Sequence, residues 1–341
     1  MELTGILMAF CGGVFGASIG ALASFIFVGF SGLVGIGVAM AGGSFNFLNM
    51  VTFGSVFGPH IALIGGVAAG AYARKRGYIE SGKDITLPML SLKKSDVLLV
   101  AGIFGVIGYV MNALVAGALP GQIDSVGATV FGAAMIAKVA FGDLGLREVF
   151  GIVPEEVKAL GGRFSENAPS WVPYMVRPFE KLLIGFAAGG LSAYVTVSFL
   201  QIEGLESSAV FVGFLLSAAS LIFLQMGFPI PVTHHITVCA SYAAVASGGN
   251  LYWGLVFGVA AAFLGDFVSR LFYNYGDTHI DPPATAIMVL SYIAMGILPN
   301  FAFYQSGDVV PLVLLGLVIF PYSVIRTFRG NKAEGKQTIQ A

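Results

Sequence analysis

Three of the four histidines in this chain fall in two short proline-bearing segments, where an otherwise apolar sequence turns polar. The first is Pro229-Ile230-Pro231-Val232-Thr233-His234-His235, which opens a short apolar run. Two prolines fix the backbone and withdraw hydrogen-bond donors, so a helix break is expected there. Broken backbone at membrane depth is tolerated only where protein or a wet cavity satisfies the freed groups, and a solute can meet such groups too. Neutral imidazoles beside the break could accept or donate hydrogen bonds, bind a metal or relay protons near neutral pH. Thr233, His234 and His235 are therefore candidate substrate-binding residues.

The second segment is Gly276-Asp277-Thr278-His279-Ile280-Asp281-Pro282-Pro283, preceded by Asp266 and Arg270. Asp266 and Arg270 stand one helical turn apart, which suits an ion pair. Asp281 ahead of two prolines suits a cap for a helix starting near Ala284. Taken together, Asp266, Asp277, His279 and Asp281 could line a vestibule, hold a coupling proton or bind a divalent ion.

In the first half, the corresponding short-helix opening is Gly42-Gly43-Ser44-Phe45-Asn46-Phe47-Leu48-Asn49, with uncharged hydrogen-bonding groups in place of imidazoles. Asparagine in an apolar segment needs a partner across helices or on a ligand. Ser44, Asn46 and Asn49 complete the candidate substrate-binding set. Two other polar residues have ordinary readings, Lys138 snorkelling to the interface and His60 lying at the outer interface, while Asn112 in the preceding helix is open, like Lys138, to an ordinary or a solute-contacting role.

These residues are embedded in a chain that is 57% hydrophobic and only 10% charged. Apolar runs of about 20 residues require membrane crossings, and lipid requires them to be helical. Net charge is -1, so no basic footprint suggests nucleic acid. Cys11 and Cys239 lie in apolar runs and read as packing residues. Leu3 to Phe25 lacks a basic leader and reads as a retained first span. No P-loop, dinucleotide fingerprint, catalytic triad or zinc-protease pair is present, and no cofactor is expected.

Lys and Arg cluster at 74–94, 147–181, 270 and 326–336, which marks those segments cytoplasmic, and the acidic connections at 120–124, 201–206 and 304–308 suit the opposite side. The expected architecture is all-α: a multi-pass cell-membrane protein of about 11–12 crossings with a cytoplasmic C-terminus. It divides into an N-terminal half (1–145), a cytoplasmic linker (146–180), a C-terminal half (181–328) and a tail (329–341). Short matches suggest two similar, parallel halves. Phe10-Cys11-Gly12-Gly13 pairs with the run from Phe186 to Gly190, and Gly66-Val67-Ala68-Ala69 with Gly258-Val259-Ala260-Ala261. Gly12, Gly16 and Gly20, like Gly185 and Gly189, recur every four residues and suit close helix packing.

The leading function is a transporter or channel for a small polar or ionic solute, with proton or ion coupling through His234 or His235. The alternatives are an intramembrane metal-dependent enzyme and a noncatalytic subunit of a larger complex. The bilayer and a small solute are the expected partners, nucleic acid is not, and a homo-oligomer is compatible with the sequence.

Overall fold

A computed structural model describes residues 2–43, 46–165, 167–326 and 328. Among these residues the protein is all-helical, without a strand. The N-terminal half holds α1 (Leu3–Ile19), α2 (Ala21–Met40), α3 (Ala62–Lys75), α4 (Ser95–Ala118) and α5 (Ser125–Phe141). A five-residue helix in the linker, α6, covers Glu155–Ala159. The C-terminal half holds α7 (Pro178–Phe199), α8 (Val212–Gln225), α9 (His234–Ala246), α10 (Leu251–Val268), α11 (Pro282–Tyr292) and α12 (Val309–Val313). The last two continue through π-helical stretches, Ile293–Ile297 after α11 and Leu314–Ile319 after α12.

Among the described residues six helices are long and apolar enough to cross a membrane: Ala21–Met40, Ser95–Ala118, Pro178–Phe199, Leu251–Tyr273, Pro282–Asn300 and Val309–Arg326. Shorter apolar helices cover Leu3–Ile19, Ser125–Phe141 and Ala209–Gln225. At 1.5 Å per residue α4 spans roughly 36 Å, enough for the hydrocarbon core.

Two sequence boundaries move. The run Leu3 to Phe25 is interrupted at Gly20, whose φ of +101° starts α2 in a new direction, while the Leu22 amide donates to the Ile85 carbonyl at 2.8 Å. Of the span expected at Phe45 to Phe57, the described residues 46–57 hold a π-helical turn at Leu48–Thr52 before α3.

The bundle has two ends, fixed by contacts between loops. At one end Arg74, closing α3, pairs with Asp143 after α5 and with Asp277 after α10. Lys83 donates to the Asn274 carbonyl at 2.9 Å there, and Arg163 of the linker to the Leu271 carbonyl at 2.8 Å. At the other end Asn250, capping α10, donates to Gly307 and Asp308 just before α12. Accordingly α3 runs toward the linker end. By contrast, α9 starts near the linker, where the Tyr174 hydroxyl donates to Ile230 at 2.8 Å, and runs away from it.

Packing partners follow from small residues. In the first half α1 packs on α3 and α4, and α3 on α5; in the second α7 packs on α9 and α10, and α9 on α11. A methyl group on Gly13 would lie 2.3 Å from the Ala101 carbonyl oxygen, and one on Gly189 would lie 2.7 Å from Gly258 Cα. Only glycine permits backbones so close. The halves meet through α2 against α8 and α5 against α11. The tetrapeptides Gly66–Ala69 and Gly258–Ala261 fall in α3 and α10, whose packing partners differ, so their likeness marks no structural equivalence.

Candidate functional site

Asp124 and Asp281 begin the site, because each caps a helix that points into the bundle. Asp124 Oδ1 accepts the Gly127 amide at 2.7 Å at the start of α5, and Asp281 Oδ2 accepts the Ala284 amide at 2.9 Å at the start of α11. Capping leaves one oxygen of each carboxylate for other partners. Asp124 Oδ2 accepts the Tyr242 hydroxyl of α9 at 2.7 Å, while the Asp124 amide donates to Ser291 Oγ of α11 at 2.9 Å. Asp281 Oδ1 lies 3.5 Å from His279 Nε2.

Two cavities flank Asp281. The first, about 390 Å³, reaches Gly121 and Ile123 at the end away from the linker; Asp124, Tyr242, Asn49 and Asn112 also line it. The second, about 280 Å³, reaches Trp171, Val172 and Tyr174 of the linker and includes His279. Phe25, Leu63, His234 and Asp281 line both. These four side chains, from α2, α3, α9 and the α11 cap, form the partition between the cavities. The His234 ring lies 4.8 Å from Phe25 and 6.0 Å from Phe214, centroid to centroid.

The expected site residues divide accordingly. His234, His279 and Asp281 come together around the partition, and Asn49 faces the first cavity. His234 and His235 are 4% and 2% exposed, so neither is a solvated interfacial histidine. The Nδ1 atoms of both, and both ring nitrogens of His279, have no hydrogen-bond partner among the described residues. His235 turns away toward α10, where a methyl group on Gly265 would lie 2.8 Å from its Nε2. Thr233 hydrogen-bonds Ser217 of α8 at 3.0 Å. Asn46 is exposed, its Oδ1 accepting the Asn49 amide at 3.1 Å, and Ser44 lies outside the described residues.

Asp266 and Asp277 stand apart from both cavities. Asp266 is held by Lys181 at 2.7 Å and Arg270 at 3.1 Å, and its Oδ1 also accepts the Ser170 hydroxyl at 3.2 Å. Asp277 bonds Arg74 at 2.6 Å in the loop cluster. Lys138 does not snorkel: it is fully buried and donates to the Phe272 carbonyl, tying α5 to the end of α10. His60 is 4% exposed rather than interfacial, and its carbonyl oxygen would meet a methyl group on Gly108 at 1.6 Å.

Outside the spans, charge is strongly paired. Hydrogen bonds from Lys75 and Arg74 hold the Asp143 carboxyl down to about 2. Burial lowers the Lys83 ammonium from its ordinary value. Among the described residues no three His, Cys, Asp or Glu side chains gather as a bound metal ion needs.

Sequence reading missed Asp124, Tyr242 and Phe25. Asp124 carried a signal in its register with Gly127, the same cap spacing that marked Asp281 before Ala284. Phe25 and Tyr242 carried none, since aromatic residues abound in these helices.

The fold and the cavities thus define an all-helical protein with several apolar helices of membrane-crossing length. The chain belongs to a family of unknown function, DUF7973, which it matches over residues 1–313. No curated protein and no solved structure matches it.

Proposed function

We propose that the protein is a membrane transporter that passes a small polar or ionic solute between its two cavities. The observation that carries this reading is the shared partition: one thin layer, Phe25, Leu63, His234 and Asp281, separates spaces that extend toward opposite ends of the bundle. Alternating access needs such a layer, opened to one side at a time.

A second part of the proposal is that the halves are an inverted repeat, with α1–α5 equivalent to α7–α11. Matching packing partners support it, as do the opposite directions of α3 and α9. Near the start of each, after a proline, stands a buried His-Ile pair, His60-Ile61 just before α3 and His235-Ile236 in the first turn of α9. Inverted repeats are expected to hold their site at the repeat interface, and the partition draws Phe25 and Leu63 from one half and His234 and Asp281 from the other. In this reading the linker end, with its basic loops, faces the cytoplasm and, with an odd number of crossings, the N-terminus lies outside.

The test needs no knowledge of the solute. In a background lacking Cys11 and Cys239, cysteines replace Val126 in the first cavity and Leu224 in the second. A membrane-impermeant thiol reagent is then added to right-side-out or inside-out vesicles. Val126→Cys is expected to react from one face and Leu224→Cys from the other. Reaction of both from the same face, or of neither from any face, overturns the reading.

A further inference from the structure

We infer that the first cavity binds a small organic ammonium ion. This deepens the transport proposal, since it names the solute class for the same path. The charges are one-sided: Asp124 and Asp281 line the cavity, and among the described residues no Lys or Arg lines either cavity. The nearby bases are engaged elsewhere, Lys138 on the Phe272 carbonyl and Lys181 and Arg270 on Asp266.

The walls of the first cavity are aromatic. Phe53 lies 4.8 Å from Phe211 and 6.2 Å from Phe214, and Phe211 lies 6.4 Å from Tyr242. Ring faces attract a cation, most strongly where water is excluded. A bare inorganic ion would leave most of about 390 Å³ unfilled, whereas an alkylammonium covers such walls with its methyl groups. His234, 4% exposed with Nδ1 unpartnered, adds an imidazole lone pair at the partition when its proton sits on Nε2.

The helix ends oppose this assignment, because the starts of α5, α9 and α11 carry partial positive charge. Each end amounts to about half a unit charge, and on α5 and α11 an aspartate side chain already accepts an amide of that end. The balance favours a cation.

Three probes of one shape decide the matter by calorimetry on the purified chain: choline, its neutral isostere 3,3-dimethyl-1-butanol, and the anion 3,3-dimethylbutyrate. Choline is expected to bind at least about tenfold more tightly than either isostere, as the loss of a cation–π attraction in a desolvated site implies. Asp124→Asn preserves the cap, since asparagine caps as well as aspartate, and should weaken choline about tenfold. Equal or tighter binding of an isostere, no choline binding at millimolar concentration, or unchanged affinity in Asp124→Asn overturns the inference. The isostere comparison uses the unmutated chain and decides the question even if the variant fails to fold. Failed choline binding with two-sided cysteine labelling intact rejects the ammonium alone and leaves the transport reading standing.

Discussion

Asp124 and Asp281 cap their helices in the same way, each accepting the amide three residues on, at 2.7 and 2.9 Å. They enter from different halves of the chain, and both line the first cavity. The carboxylates of this cavity are therefore also the residues that start its helices, so their placement is fixed by backbone geometry.

Removing the ring of Phe25 should join the two cavities. Phe25→Ala is expected to cost about 3–5 kcal/mol of stability and to let Val126→Cys and Leu224→Cys react from both faces. Labelling that stays one-sided in this variant would place the barrier elsewhere.

Asp266 should prove structural. It is the shared counter-charge of Lys181 and Arg270, with side chains 14%, 8% and 7% exposed. Asp266→Ala leaves two buried cations without it and should cost about 3–5 kcal/mol, read as a lowered melting temperature in detergent. Choline affinity of the folded fraction should be unchanged.

Glycine contacts between helices should be unforgiving. Gly189→Val brings Cβ to 2.7 Å from Gly258 Cα, where both partners are helix backbone. A loss of about 1–3 kcal/mol or more is expected from such overpacking. Gly117, with nothing within 4 Å of an added methyl, should accept Ala without loss. Equal melting of Gly189→Val and the parent would disprove the close approach.

Acid should loosen the loop cluster at the linker end. The Asp143 carboxyl is held down to about 2 by Lys75 and Arg74. Its folded value lies below the unfolded one, near 3.9. Its contribution is thus complete above the unfolded value and disappears as pH falls through the folded one. Half-exposed as it is, the effect is small. Melting temperatures measured from about pH 5 to about pH 2 should decline, and less steeply in Asp143→Asn.

Much of the helical architecture was legible because lipid leaves so few options to an apolar run. The proline stretch before His234 correctly announced a short helix, and Asp281 before Pro282-Pro283 announced a cap. Residue spacing along one helix also foretold the Asp266–Arg270 pair. What could not be read was convergence. Asp266 and Asp281 lie in neighbouring segments, yet one turns to a buried ion cluster and the other to the cavities, because helix phase, not sequence distance, aims a side chain. Short matches misled for a related reason: glycine and alanine are so common here that Gly66–Ala69 resembles Gly258–Ala261 without sharing its role.

The hydrogen bonds of Asp124 bear on biosynthesis. Its hydroxyl partners, Tyr242 and Ser291, are both translated more than a hundred residues later. While the ribosome makes the remainder, the nascent first half holds the Asp124 carboxylate without Tyr242 and the Asp124 amide without Ser291. Separately expressed halves should therefore accumulate together and be degraded alone.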